Sequence, residues 1–118
     1  QIVRLIGSGA LSERERAILE IARVIREALL KQNALDVNEA YSDPKKTLAI
    51  AEVIDYYREQ LLEAISNNVP LEKVLGLNLG KEIEKLKMLP LDKCLEESFK
   101  LKEKIVVEIS RLPSLVRA

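Results

Sequence analysis

The side chains able to do chemistry in this chain are mostly carboxylates and ammonium or guanidinium groups. Its 118 residues hold 19 Asp and Glu, 19 Lys and Arg, one Cys and no His. Without imidazole there is no Ser/His or Cys/His nucleophile pair, no His-ligated zinc and no Glu-x-x-His ligand set of the di-iron bundles. Cys94 has no partner for an internal disulfide; it reads as a core or half-buried thiol, with the cytosol favoured as compartment. The acids Glu13, Glu15, Glu82, Glu84, Glu96 and Glu97 each fall on an expected exposed helix face with Lys or Arg nearby. No two are set to face one another across a cleft. A phosphate cradle would need GxxxxGK[ST], and neither Gly7 with Gly9 nor Gly76 with Gly80-Lys81 has that spacing. The sequence therefore shows no catalytic residues and no metal site.

The totals narrow the class further. One domain is the expectation at this length, with enough chain to bury a real core. Net charge is zero, and three Tyr and one Phe are the only aromatics. That composition offers no field for nucleic acid or an anionic membrane and little stacking surface. No run approaches the roughly 18 apolar residues of a membrane span, and no basic segment precedes an apolar block as in a signal peptide. A soluble chain without direct membrane insertion is expected.

The elements that must position these residues are all helical. Residues 1–6, QIVRLI, read as the end of a truncated helix stopped by Gly7 and Gly9. Ser12 with Glu15 forms a capping box, and Leu11 is placed as a hydrophobic staple, so a long helix is predicted over 12–32. Ile18, Ile21, Ala22, Ile25, Ala28 and Leu29 recur on one face, expected to be core. Arg16, Glu20, Arg23, Glu27 and Lys31 line the other, expected to be solvated. Gln32 to Asp43 loses the period. Asp43 then caps Pro44 at the start of a second long helix over 44–67, with Ile50, Ile54, Tyr57, Leu61 and Ile65 inward. The two long helices are expected to pack antiparallel. Short helices follow over 70–88, the first stopped by Gly76 and the second capped by Asn78. Their apolar face, Leu71 to Leu86, either closes over the long pair or forms a partner groove. A final helix over 91–112 carries Leu95, Phe99, Leu101, Ile105, Ile109 and Leu112. The expected fold class is all-α, a bundle of two long antiparallel helices plus short helices and a C-terminal helix, forming one domain over 1–118.

The strings QIVRLIGSGALSERERAILEIARVIREALLKQNAL and NVPLEKVLGL resemble the C-terminal helical domain of the catalytic A subunit of archaeal (A-type) and vacuolar (V-type) rotary ATPases. The matching features are Gly7, Leu11 to Glu15, Ile25 with Arg26, Gln32 to Leu35, Tyr41 and Pro44, and the likeness covers about residues 1–90. The resemblance implies a fragment of a larger protein whose other domains hold ATP or ADP with Mg. It implies B subunits and central-shaft subunits as partners, and a cytoplasmic position peripheral to the membrane. It also implies that surfaces normally covered by the nucleotide domain leave the isolated fragment open to self-association. By the same resemblance Gly9, Ala10, Leu11, Ser12, Glu13, Arg14 and Glu15 correspond to the lever that meets the shaft. Gln32, Asn33, Ala34 and Leu35 correspond to the segment over the adenine ring. One uninterrupted helix would join lever to pocket.

Two departures bear on those roles. Leu35 stands where the family carries an aromatic residue, so an apolar contact replaces base stacking. In the lever Glu13 and Glu15 alternate with Arg14 and Arg16, which favours steric contact through Ala10 and Leu11 over electrostatic repulsion. The function expected is coupling of ATP turnover in a neighbouring domain to shaft rotation and ion transport, the fragment alone being inactive. The alternative is a free-standing helical interaction module without catalytic activity.

Overall fold

The computed structural model describes residues 12–30 and 43–114, and every regular element among them is helical. Helix α1 spans Glu13–Ile25 and runs into a π-helical turn, Arg26–Leu30. Its start is set by the capping box: Ser12 Oγ accepts from the Glu15 N–H, and Glu15 Oε1 accepts from the Ser12 N–H, both at 3.1 Å. Helix α2, Pro44–Ser66, begins with Asp43 Oδ1 accepting from the Lys45 N–H at 2.7 Å and Pro at the first position. It ends in a Schellman motif, the Val69 N–H reaching Ala64 O at 2.9 Å and the Asn68 N–H reaching Ile65 O at 3.0 Å. Asn68, at φ 68°, takes the left-handed position usually given to glycine. Helices α3 (Leu71–Leu75) and α4 (Leu79–Lys85) follow, then a 3-10 turn at Leu86–Met88 and helix α5, Leu91–Ser110.

Helix α2 is the centre of the bundle. Tyr57 meets Glu20 on α1, while Lys46 and the α1 terminus both bond to Lys87, so α1 and α2 are antiparallel as expected. Contacts of Lys102 with Glu52, and of Ile109 with the groove at Ala64, show that α5 runs parallel to α2 on its other side. Residues from all five helices form one core, with Val24, Val53, Leu61, Val74, Leu79 and Ile105 wholly enclosed. The short helices spend their apolar face on this core: Leu71, Val74, Leu79, Ile83 and Leu86 are all buried.

Several expectations are corrected. The inward face of α1 is Ala17, Ile21, Val24 and Ala28, whereas Ile18 is 47% exposed and Ala22 lies at the surface. Apolar residues occur nearly all round α1, so two faces satisfy the helical period and packing chooses between them. The α1 charge ladder is not simply solvated: Glu20 and Arg23 lie part-buried between helices, as does Glu84. In α5, Leu95 and Phe99 are exposed, and the inward line instead uses Cys94 and Ser98 before Leu101. Asn78 precedes α4 in a left-handed conformation without a side-chain capping bond, and Gly76 ends α3 at an ordinary φ of −65°. The long first helix is not uniform either, since its α-helical bonding gives way to the wider π turn after Ile25. Residues 1–11 and 31–42 are outside the described residues, and with them the truncated first helix, Gly9 to Leu11 and Gln32 to Leu35.

Candidate functional site

Two features of α1 have the geometry to carry a function: its N-terminal end and the polar seam along its middle. At the end, Ser12, Glu13, Arg14 and Glu15 are all exposed. Two charges there are already committed. Glu15 closes the capping box, and Arg16 Nη2 donates to Glu72 Oε2 on α3 at 3.0 Å. The Arg16 guanidinium, with help from the helix backbone, holds the Glu72 carboxyl below the usual carboxylate range. Glu13 and Arg14 remain, of opposite sign, so this end presents shape and almost no net charge.

The seam was missed by pattern reasoning. Arg23 Nε donates to Glu20 Oε1 at 3.0 Å and Arg23 Nη2 to Glu20 Oε2 at 3.1 Å, a bidentate pair on one helix face. Arg23 Nη1 then donates to Glu84 Oε2 on α4, and the Tyr57 hydroxyl on α2 donates to Glu20 Oε2 at 3.2 Å. Three helices are thus joined through one guanidinium, two carboxylates and one phenol hydroxyl. The bond to Glu20 chiefly, then that to Glu84, keeps the Arg23 proton bound more firmly than usual. Burial, followed by the Glu20 charge, pushes the Tyr57 hydroxyl well above its ordinary value.

Gly80 makes this approach possible. A Cβ there would stand 2.8 Å from Glu20 Oε2, 3.0 Å from Arg23 Nη2 and 3.1 Å from Val24 Cγ2. The one signal in the sequence was a glycine inside a helix, which lowers helix propensity and so asks for a packing reason. At the far end of α1, Lys87 Nζ donates to Glu27 O in the π turn at 2.7 Å. Lys46, 5% exposed, donates to Lys87 O at 2.6 Å. The turn is therefore fastened to the 3-10 segment, and that segment to α2, by ammonium-to-carbonyl bonds.

Of the expected site residues, the structure places Ser12, Glu13, Arg14 and Glu15 together at the start of α1. Among the described residues there is no group of three or more acidic, Cys or His side chains arranged to hold a metal ion. No described helix is long and apolar enough to cross a membrane. The polar interior is used to join helices, and these observations define a helical bundle domain built to hold α1 in fixed register against its neighbours.

Comparison with known proteins identifies the bundle. The family model for the C-terminal domain of V and A type ATP synthase matches residues 1–75, and the chain belongs to that family. It is 35% identical over 112 residues to the A subunit of the A-type ATP synthase of Methanopyrus kandleri, covering 95% of this chain and 19% of the relative. Against the same protein of Halobacterium salinarum the figures are 36% over 112 residues, again 95% and 19%. Against that of Pyrococcus abyssi they are 42% over 90 residues, 76% and 9%. The chain thus spans about a fifth or less of the curated relatives it matches.

Proposed function

We propose that the chain is the coupling domain from the A subunit of a rotary ATPase, passing displacement between a shaft-contacting end at Gly9 to Glu15 and the nucleotide-binding part of the same protein. Family membership supports this reading over a free-standing interaction module. The observation that carries the mechanical part is the seam: Arg23 ties α1 to α4, and Glu20 ties it to α2. A push on the Ser12 end is therefore taken up by the whole bundle, because α1 cannot slide or roll without breaking charge-assisted bonds of defined direction. Transmission does not need one straight rod, and the π turn with its lysine bonds belongs to the same fastened unit.

The partners in this reading are central-shaft and B subunits, with ATP or ADP and Mg held by other parts of the A subunit. Gln32, Asn33, Ala34 and Leu35 are the residues proposed to lie against the adenine ring. With Glu13 and Arg14 nearly cancelling and Glu15 and Arg16 engaged within the domain, contact at the shaft is steric, made through Ala10 and Leu11. Replacement of Ala10, Leu11 and Ser12 by Gly in the assembled enzyme is expected to lower torque, or ions moved per ATP, while the helical signal of the domain is kept. Unchanged coupling in a folded variant overturns the lever role.

A further inference from the structure

We propose that the outer face formed by α2 and α5 is a docking groove for a single basic amphipathic helix. Phe99, the only phenylalanine of the chain, is 64% exposed, and Tyr56, Leu95 and Val107 are exposed beside it. Tyr56, Phe99, Val106 and Val107, with Lys102 and Glu103, line a groove of about 480 Å³. The exposed parts of these rings and aliphatic chains amount to on the order of 350 Å², the size of patch that on a monomer is commonly a binding site. A stable symmetric dimer needs roughly 800 Å² from each copy. The patch suits one helix lying along the groove better than a second copy of the bundle.

Charge specifies that helix. Asp92, Glu96 and Glu103 each stand three residues before Leu95, Phe99 and Val106, so an acidic line runs beside the apolar line on α5. On the α2 wall, Glu52 and Asp55 flank Tyr56. The cations along the groove are occupied, Lys93 beside Asp92 aside. Lys102 lies 3.3 Å from Glu52 with its ammonium 5.2 Å from the Tyr56 ring centre, Lys100 lies 3.4 Å from Glu96, and Arg58 is paired with Asp55. Asp92 and Glu103 have no bonded partner among the described residues. In a chain of zero net charge this surplus is local. A helix with apolar residues at steps of three and four, flanked by Lys or Arg, would satisfy both the stripe and its walls, whereas an anionic bilayer would be repelled. The groove is separate from the Ser12 end, since no α1 residue lines it, and five of its six lining residues come from α5, beyond the residues 1–75 of the family match.

The test uses the 118-residue chain and two fluorescein-labelled designed helical peptides with the same Leu stripe, one flanked by Lys and the other by Glu, read by anisotropy. The Lys peptide is expected to bind saturably and the Glu peptide about tenfold or more weakly. Phe99→Ser, at a surface position, is expected to weaken the Lys peptide about tenfold with thermal midpoint unchanged. Glu96→Lys with Glu103→Lys is expected to reverse the preference between the peptides. Equal binding of the two peptides, or no loss on Phe99→Ser, overturns the proposal. So does a dimer in sedimentation equilibrium that Phe99→Ser abolishes, which would assign the face to a second copy. Preferential binding to phosphatidylserine vesicles would assign it to a membrane and overturn it equally.

Discussion

The two sides of α2 are held by different physics. Toward α5 the contact is apolar: Cys94, Leu101, Ile105 and Ile109 are buried against the core, and the polar contacts between these helices lie at the rim. Toward α1 and α4 the contact also contains directed bonds from Tyr57 and Arg23 to Glu20 and Glu84. Apolar burial is proportional to area and insensitive to direction, so it attaches α5 strongly yet fixes its rotation weakly. A guanidinium fork accepts carboxylates in few geometries, so it fixes how α1 is turned while contributing modest net stability. In the coupling role proposed above, the side that transmits motion is the side with directional bonds. The side with non-directional bonds leaves Phe99 and Leu95 facing outward.

The largest test of this contrast is on the apolar side. Ile105 is fully enclosed, and Ile105→Ala removes buried methyl groups and leaves a cavity, expected to cost about 3 kcal/mol. Urea unfolding followed by circular dichroism measures it, with an unchanged slope showing that the end states are the same. A loss below about 1 kcal/mol, the usual level for a site that collapses or was never packed, would mean that α5 does not seat on α2 in this register.

Arg23→Met comes next. It keeps the length and apolar stem of the side chain but leaves Glu20 and Glu84, with side chains 15% and 18% exposed, without their cation. Complete burial would make such a loss about 3–5 kcal/mol; partial solvent access brings the expectation to about 2 kcal/mol. Glu20→Gln in the Arg23→Met background should restore part of that loss, because one of the stranded charges disappears. A double-mutant cycle gives the coupling directly. Strict additivity would show that the seam is solvated and that α1 is held by its apolar face alone.

How much of this was legible in the sequence depended on whether the signal was local. The start of α1 at Ser12 and of α2 at Asp43-Pro44, and the end of α2 near Asn67, were legible because caps act within a few residues. The inward face of α2 was readable for the most part, since Ile50, Ile54, Tyr57 and Leu61 stand out against charged neighbours. The rotation of α1 was not. Ile18 with Ala22, and Ala17 with Val24, satisfy the same three- and four-residue steps, and the choice rests on Gly80, more than 50 residues away in the chain, admitting α4 against Glu20 and Arg23. Phe99 misled for a related reason: a lone aromatic reads as core unless a surface for partners is envisaged. The π turn left no local mark, since nothing in REALL disfavours an ordinary α-helix. The lever expectation rests on a resemblance, and what the structure adds there is local: Glu15 and Arg16 are bonded within the domain.

The smallest effect expected is also the most specific to the directional side. Tyr57 is 1% exposed, and its hydroxyl donates to a carboxylate that Arg23 already holds. Tyr57→Phe removes one hydrogen bond and leaves Glu20 with its guanidinium, so at neutral pH the cost should be about 1 kcal/mol. The pH dependence carries the information. Burial first, then the Glu20 charge, raises the folded-state pKa of Tyr57, so the folded state retains a proton that the unfolded state releases near its ordinary value of about 10. The stability attached to that proton is complete below the unfolded value and is lost as pH rises above it. Cys94, raised chiefly by burial, and Lys104, raised chiefly by its bond to Glu82, share the same sign and contribute to the same alkaline decline. Tyr57→Phe takes one component away and leaves the other two. Urea unfolding across about pH 9 to 11, the span around the ordinary tyrosine value, should therefore show the wild-type and Tyr57→Phe curves converging as pH rises. Parallel curves would mean that Tyr57 ionises as freely in the bundle as in the unfolded chain. The seam would then be open to water, and its bonds could not be what fixes the rotation of α1.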